Sequence, residues 1–182
     1  FFSDHGVGDD DHPVTWFGPS VHAVFQAFEC ILDGGLRVVR ELHQKRFIFA
    51  DLKPENLVIE AKGASIRFID FGGVVPFDRM VKQYTPLFDR GSWKMGNRQS
   101  DLQYDLFAVG ILLVCTYVKQ EVLMKAQKNT LSMYTLYDII HKELHPIGKQ
   151  ICIKVFSEKY QSAEQMAVDI KGLIVELEKA DR

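Results

Sequence analysis

Apolar residues at helical intervals mark both ends of the chain. Val21, Val24, Phe25, Phe28, Ile31, Leu32, Val39 and Leu42 recur every three or four positions and predict a helix from Val21, with Ser20 as its N-cap. Gly34 and Gly35 lie inside it; each costs about 1 kcal/mol in a helix interior, so a bend or break is expected there. Near the C-terminal end, Met166, Ile170, Leu173 and Leu177 share one face of a final helix, opened by a capping box of Ser162 and Gln165. Between these ends the longest apolar run goes from Leu106 to Val118 through Gly110. A membrane-spanning helix needs about 20 apolar residues, so this run predicts a core helix that is apolar on every side.

Two short apolar runs, Asn56–Glu60 and Ile66–Ile69, flank a Lys62-Gly63 turn and predict a β-hairpin. Residues 72–100 have little periodicity and carry Gly, Pro and Arg. They predict one long loop, and long loops within compact domains usually serve function. From Asp101 onward the pattern is helical. The expected fold is therefore mainly α with a small β-hairpin: a helix, the hairpin, a long loop, then several helices.

Composition narrows the picture. The chain has 182 residues, 47% apolar and 25% charged, which suits one packed domain. Lys plus Arg number 22 and Asp plus Glu 24, for a net charge of -2, so no overall field draws nucleic acid or an acidic membrane face. Cys30, Cys115 and Cys152 are odd in number and form no CxxC, which excludes a disulfide scaffold or a cysteine zinc module. They are expected to be reduced, half-buried thiols of a cytoplasmic protein. The first residue is Phe1, so the chain is expected to be cut from something longer; neither a signal peptide nor a membrane segment is visible in it. Residues 1–20 read as a loop, and the acidic triplet Asp9-Asp10-Asp11 as part of its solvated surface. His141 and His145 are spaced i, i+4, but Lys142 stands where a zincin needs Glu, so they read as a plain surface helix.

The chemistry is carried by two motifs. Asp51-Leu52-Lys53-Pro54-Glu55-Asn56 is followed by Asp70-Phe71-Gly72, just after the second predicted strand. Together they resemble the catalytic loop and DFG motif of eukaryotic-like (Hanks-type) Ser/Thr protein kinases. Ser100-Asp101-Leu102-Gln103-Tyr104-Asp105-Leu106-Phe107-Ala108-Val109-Gly110 looks like the start of the family's central buried helix. Ser157 to Glu164 resembles the approach to its last helix. The wording of Ile69–Gly73 and Phe88–Trp93 looks most like a bacterial, sporulation-associated branch.

The resemblance implies a kinase C-lobe over residues 21–182, with residues 1–20 a loop or hinge-side segment. Within it fall a catalytic loop (49–56), the DFG motif (70–72), an activation segment (70–95) and a helical subdomain (99–182). It implies transfer of the γ-phosphoryl group of ATP to a Ser or Thr hydroxyl of a protein substrate, with Mg²⁺. Such transfer needs positioning and charge neutralisation rather than covalent work. By resemblance, Asp51 orients the hydroxyl and accepts its proton, and Lys53 neutralises the moving phosphoryl group. Asn56 and Asp70 are hard oxygen donors for Mg²⁺. Val58 floors the adenine, and Asp105 hydrogen-bonds the backbone of the catalytic loop.

The chain also departs from the family pattern. It carries no glycine-rich loop, no ATP-anchoring Lys on a strand and no Glu partner for it; His5-Gly6-Val7-Gly8 lacks the third Gly. Phe49 and Ala50 replace the usual His and Arg. Phe keeps the apolar packing, whereas Ala cannot hold a phosphorylated loop. The APE motif is absent near Ser92-Trp93-Lys94-Met95, and the Arg that pairs with its Glu is expected to appear as Lys159. Losing both partners is consistent, since a lone buried charge is costly. Thr85 is open to three readings: phosphosite, part of a substrate platform, or plain loop residue. A pseudokinase-type binding or scaffold module is the alternative function. A small-molecule kinase of the aminoglycoside phosphotransferase type is a third, against which Lys53 discriminates.

Overall fold

The computed structural model describes residues 35–59, 66–129 and 132–180. Six α-helices and four short strands occur among them. The helices are α1 (Leu36–Gln44), α2 (Leu102–Cys115), α3 (Gln120–Gln127), α4 (Ser132–Glu143), α5 (Pro146–Phe156) and α6 (Ala163–Ala180). The strands are β1 (Phe47–Ile48), β2 (Leu57–Ile59), β3 (Ile66–Phe68) and β4 (Val75–Pro76).

Helix α2 is the axis of the domain. Every residue from Tyr104 to Cys115 is buried, as its unbroken apolar run demands. The Asp101 side chain caps it by accepting from the Tyr104 amide at 3.1 Å. Gly110 is required by packing: a Cβ there would lie 2.8 Å from Val155 Cγ1, so α5 crosses α2 closer than any larger residue permits. Around this axis α1 packs on α6, α6 on α5 and α3 on α4. The expected face of α6 is confirmed, with Met166, Ile170 and Leu173 buried and Leu177 partly so. Half of the expected capping box forms: Ser162 Oγ accepts from the Gln165 amide at 3.2 Å, while Gln165 Oε1 accepts from the Gln161 amide at 2.9 Å, one residue before the cap.

The predicted hairpin is present. β2 pairs antiparallel with β3, matching Leu57 with Phe68, Val58 with Arg67 and Ile59 with Ile66. The helix is described only from Leu36, with Leu36 and Val39 on its buried face. Ser20, the apolar positions Val21 to Leu32, Gly34, Cys30, the acidic triplet and the Lys62-Gly63 turn lie outside the described residues.

Three expectations need correction. Residues 72–100 are not one loop, because β4 pairs antiparallel with β1 (Phe47 with Pro76, Ile48 with Val75), a 3₁₀ turn covers Pro86–Phe88, and Met80 bridges Gln99. A two-residue strand is too short to show a period. His141 and His145 are not on one helix: His141 is in the last turn of α4, while His145 caps α5, whose first residue is Pro146. Cys115 and Cys152 are fully rather than half buried. Burial pushes the Cys115 thiol up to about 12 and the Cys152 thiol higher still, so both stay protonated and unreactive. Among the described residues no helix is long and apolar enough to cross a membrane.

Candidate active site

The site is assembled on the N-terminal turns of α2. Asp105 is fully buried and accepts two backbone donors of residues 49–50: Phe49 N–H at 2.8 Å on Oδ2 and Ala50 N–H at 2.9 Å on Oδ1. His43 Nε2, at the end of α1, donates to the same Oδ2 at 3.0 Å. One carboxylate thus fixes the approach to Asp51, as expected for Asp105. Ala50 has φ +66°, a left-handed conformation unfavourable for a residue with a Cβ, and its Asp105 bond holds it there.

Beyond this bend four side chains converge. Asp51 Oδ2 lies 2.8 Å from Lys53 Nζ. Thr85 Oγ1 donates to Asp51 Oδ1 at 2.9 Å and accepts from Lys53 Nζ at 3.2 Å, closing a ring of three. The Asn56 amide donates to the Asp51 carbonyl at 2.8 Å and to its Oδ2 at 3.0 Å. These donations use the nitrogen of Asn56 and turn its amide oxygen the other way. Asp51 and Lys53 are part-exposed, whereas Asn56 is buried in a 3₁₀ turn (Pro54–Asn56).

Asp70 follows β3 at the base of the hairpin. Ile69 N–H donates to the Asn56 carbonyl at 3.2 Å, which sets the residue before Asp70 against Asn56. Asp70 itself is exposed, with Oδ1 accepting from the Gly72 amide at 2.8 Å. Gly73 then touches the catalytic loop: a Cβ would lie 2.9 Å from Asp51 Cβ and 3.0 Å from the Phe49 carbonyl oxygen. Phe49 takes the apolar role expected of it, stacked edge-on to Phe68 at 4.7 Å and to Phe71 at 5.5 Å. Val58 sits partly exposed in β2, two residues past Asn56. The structure joins Asp51, Lys53, Asn56 and Thr85 by hydrogen bonds and sets the backbone of Ile69, next to Asp70, against Asn56. The sequence left three readings of Thr85 open; its contact with Asp51, 34 residues away, is visible only in the structure.

The far end of the long segment is held by charge. Lys159 is exposed. The cation there is Arg90 on the loop, and the anions are Glu158 and Asp101. The Arg90 side chain is 3% exposed and contacts Glu158 Oε1 at 3.2 Å and Asp101 Oδ2 at 2.8 Å. It also donates to the Asn97 carbonyl at 2.7 Å and the Gln99 carbonyl at 3.1 Å. A buried guanidinium matched this fully offsets much of its desolvation. Beside it, Asp89 is fully buried and accepts from Ser92, Arg98 and Tyr104. Burial pushes its carboxyl up, but those hydrogen bonds and the Arg98 charge outweigh burial and hold it below the usual carboxylate range.

An Asp–Lys–Asn loop braced by a buried helix and set against a DFG turn defines a protein-kinase-type site. A family model of the protein kinase domain matches residues 26–182, and the chain belongs to that family. It is similar to the serine/threonine-protein kinase YabT of Bacillus subtilis, 37% identical over 132 residues, which is 71% of this chain and 37% of that protein. It also resembles serine/threonine-protein kinase 1 of African swine fever virus, 35% identical over 57 residues, or 31% of this chain and 18% of the viral protein. The chain spans less than half the length of these curated relatives.

Proposed function

We propose that the protein carrying this chain is an ATP-dependent Ser/Thr protein kinase and that this chain is its C-lobe. The observation that carries the reading is the ring of Asp51, Thr85 and Lys53, in which a hydroxyl is shared between a carboxylate and an ammonium. Asp51 orients the acceptor hydroxyl and receives its proton as the bond to phosphorus forms. Lys53 places positive charge beside the transferring group. Thr85 keeps both side chains in register and sets the level at which a substrate chain lies.

Asn56 and Asp70 would hold Mg²⁺. They are hard oxygen donors on adjoining backbone, and the described residues contain no cluster of three or more His, Cys, Asp or Glu that could hold a metal unaided. Such a pair fits Mg²⁺, which takes few protein ligands and fills its shell with phosphate oxygens and water. When bound it supplies charge neutralisation on the phosphates. Val58 is read as the floor of the adenine pocket.

The test separates these roles in the intact protein. Asp51→Asn should leave Mg-ATP affinity within about threefold while transfer falls by about a hundredfold or more, because its contact strengthens in the transition state. Asp70→Asn should weaken nucleotide binding and its Mg²⁺ dependence as well as transfer. If Asp51→Asn abolished nucleotide binding, the assignment of the base would be wrong. If the unaltered protein bound Mg-ATP and transferred nothing to proteins, the scaffold reading would replace this one.

A further inference from the structure

Kinase activation loops are commonly ordered by a phosphate paired with Arg. Ala50 offers no such partner in the catalytic loop, and Arg90 is committed to Glu158 and Asp101. The first half of the segment is nonetheless tightly held. Ser100, fully buried and just before α2, makes four hydrogen bonds to residues 76–79. Its hydroxyl donates to the Pro76 carbonyl at 2.6 Å and accepts from the Arg79 N–H at 2.8 Å. Its own N–H donates to the Arg79 carbonyl at 2.6 Å, and its carbonyl accepts from the Asp78 N–H at 2.9 Å. The pairing continues through the Met80–Gln99 bridge and Val81 N–H to the Arg98 carbonyl at 2.8 Å.

We propose that Ser100 is a positioning residue for phosphoryl transfer: its hydroxyl clamps the activation segment without a loop phosphate. The inference rests on the kinase reading above. The connectivity explains the effect. Pro76 belongs to β4, whose partner β1 leads directly into Phe49, Ala50 and Asp51. Past the clamp, the chain runs from Val81 to Thr85, which sits on Asp51. Both sides of the Asp51–Thr85 contact are therefore tied to one hydroxyl. Ser100, Asp101 and Asp105 together make the start of α2 a common anchor for the catalytic loop and both halves of the segment. Ser100 itself is fully buried, and loss of its hydroxyl removes both of its bonds at once, which frees the segment locally.

The test uses the intact protein, with myelin basic protein as acceptor and hydrogen exchange at the Arg79 amide. Ser100→Ala, and Ser100→Cys as a near-isosteric variant should alanine fail to fold, should each lower kcat about tenfold or more. The KM for ATP should stay within about twofold, while Arg79 exchanges about tenfold faster. Ser100→Thr, which keeps the hydroxyl, should restore most of the rate. Phosphatase treatment of the unaltered protein should change its rate by less than about twofold. A tenfold loss on phosphatase treatment, an unchanged kcat in Ser100→Ala, or an equal loss in every kinetic parameter would each overturn the proposal. Absence of any transfer by the unaltered protein would overturn the kinase reading itself. Failure of the clamp is told apart by exchange, because an unchanged Arg79 rate refutes it whatever the activity.

Discussion

Replacing Asp105 tests the brace beneath the catalytic loop. Its buried carboxylate accepts from the Phe49 and Ala50 amides at 2.8 and 2.9 Å, both out of contact with water, and from the partly exposed His43 at 3.0 Å. Asparagine has one oxygen for this task. With that oxygen at the Oδ2 position it keeps Phe49 and His43, but its NH₂ then faces the Ala50 N–H; flipped, it keeps only Ala50. Each buried group left unsatisfied costs about 1–3 kcal/mol, so Asp105→Asn should destabilise by about that amount. Asp105→Ala orphans both amides and should cost about 2–6 kcal/mol on the same scale. At about 2–4 °C per kcal/mol for a domain of this size, the alanine variant should melt about 4–24 °C lower. The effect on function should exceed the effect on folding, because the left-handed Ala50 relaxes once its amide is released and Asp51 moves with it. Thermal unfolding, with exchange at the Phe49 and Ala50 amides, measures both parts. If Asp105→Asn melted within 1 °C of the parent and left those amides protected, the carboxylate would not be the brace described here.

Other outcomes follow from the same geometry. Thr85→Val should cut protein phosphorylation about tenfold or more with ATP affinity unchanged, whereas Thr85→Ser should retain most activity; steady-state kinetics on both decide it. Asp89 has a carboxyl held below its ordinary value in the folded chain, so its contribution to stability is present above the unfolded value of about 3.9 and is lost as pH falls through the folded one. Asp89→Asn should therefore flatten the acid limb of a Tm–pH profile, and a profile parallel to the parent's would count against the assignment. The isolated 182-residue chain should bind Mg-ATP weakly and phosphorylate nothing, since it carries no glycine-rich loop or strand Lys for the phosphates. Low-micromolar binding in calorimetry would contradict this.

Local signals in the sequence were sufficient for the elements whose determinants lie within a few residues. The all-round apolar run of α2, the Ser162 cap of α6 and the β2–β3 pairing are of this kind. The separation of α4 from α5 was equally local, since Pro146 fits the first position of a helix and interrupts an existing one; the i, i+4 spacing of His141 and His145 obscured it. Asp51, Lys53, Asn56 and Asp70 were legible for a similar reason: each motif is contiguous, and one short hairpin joins the two. Tertiary structure alone decided the rest. The β1–β4 ribbon consists of two-residue strands with no period to detect, and it exists because Asp105 and Ser100 hold its two ends. Arg90 and Glu158 are 68 residues apart, so their pairing leaves no trace in either local sequence. Thr85 belongs to the site only because the folded segment returns it to Asp51. A side chain's partners across long loops depend on how the backbone closes, and in this chain that closure is set by buried hydrogen bonds to the start of one helix.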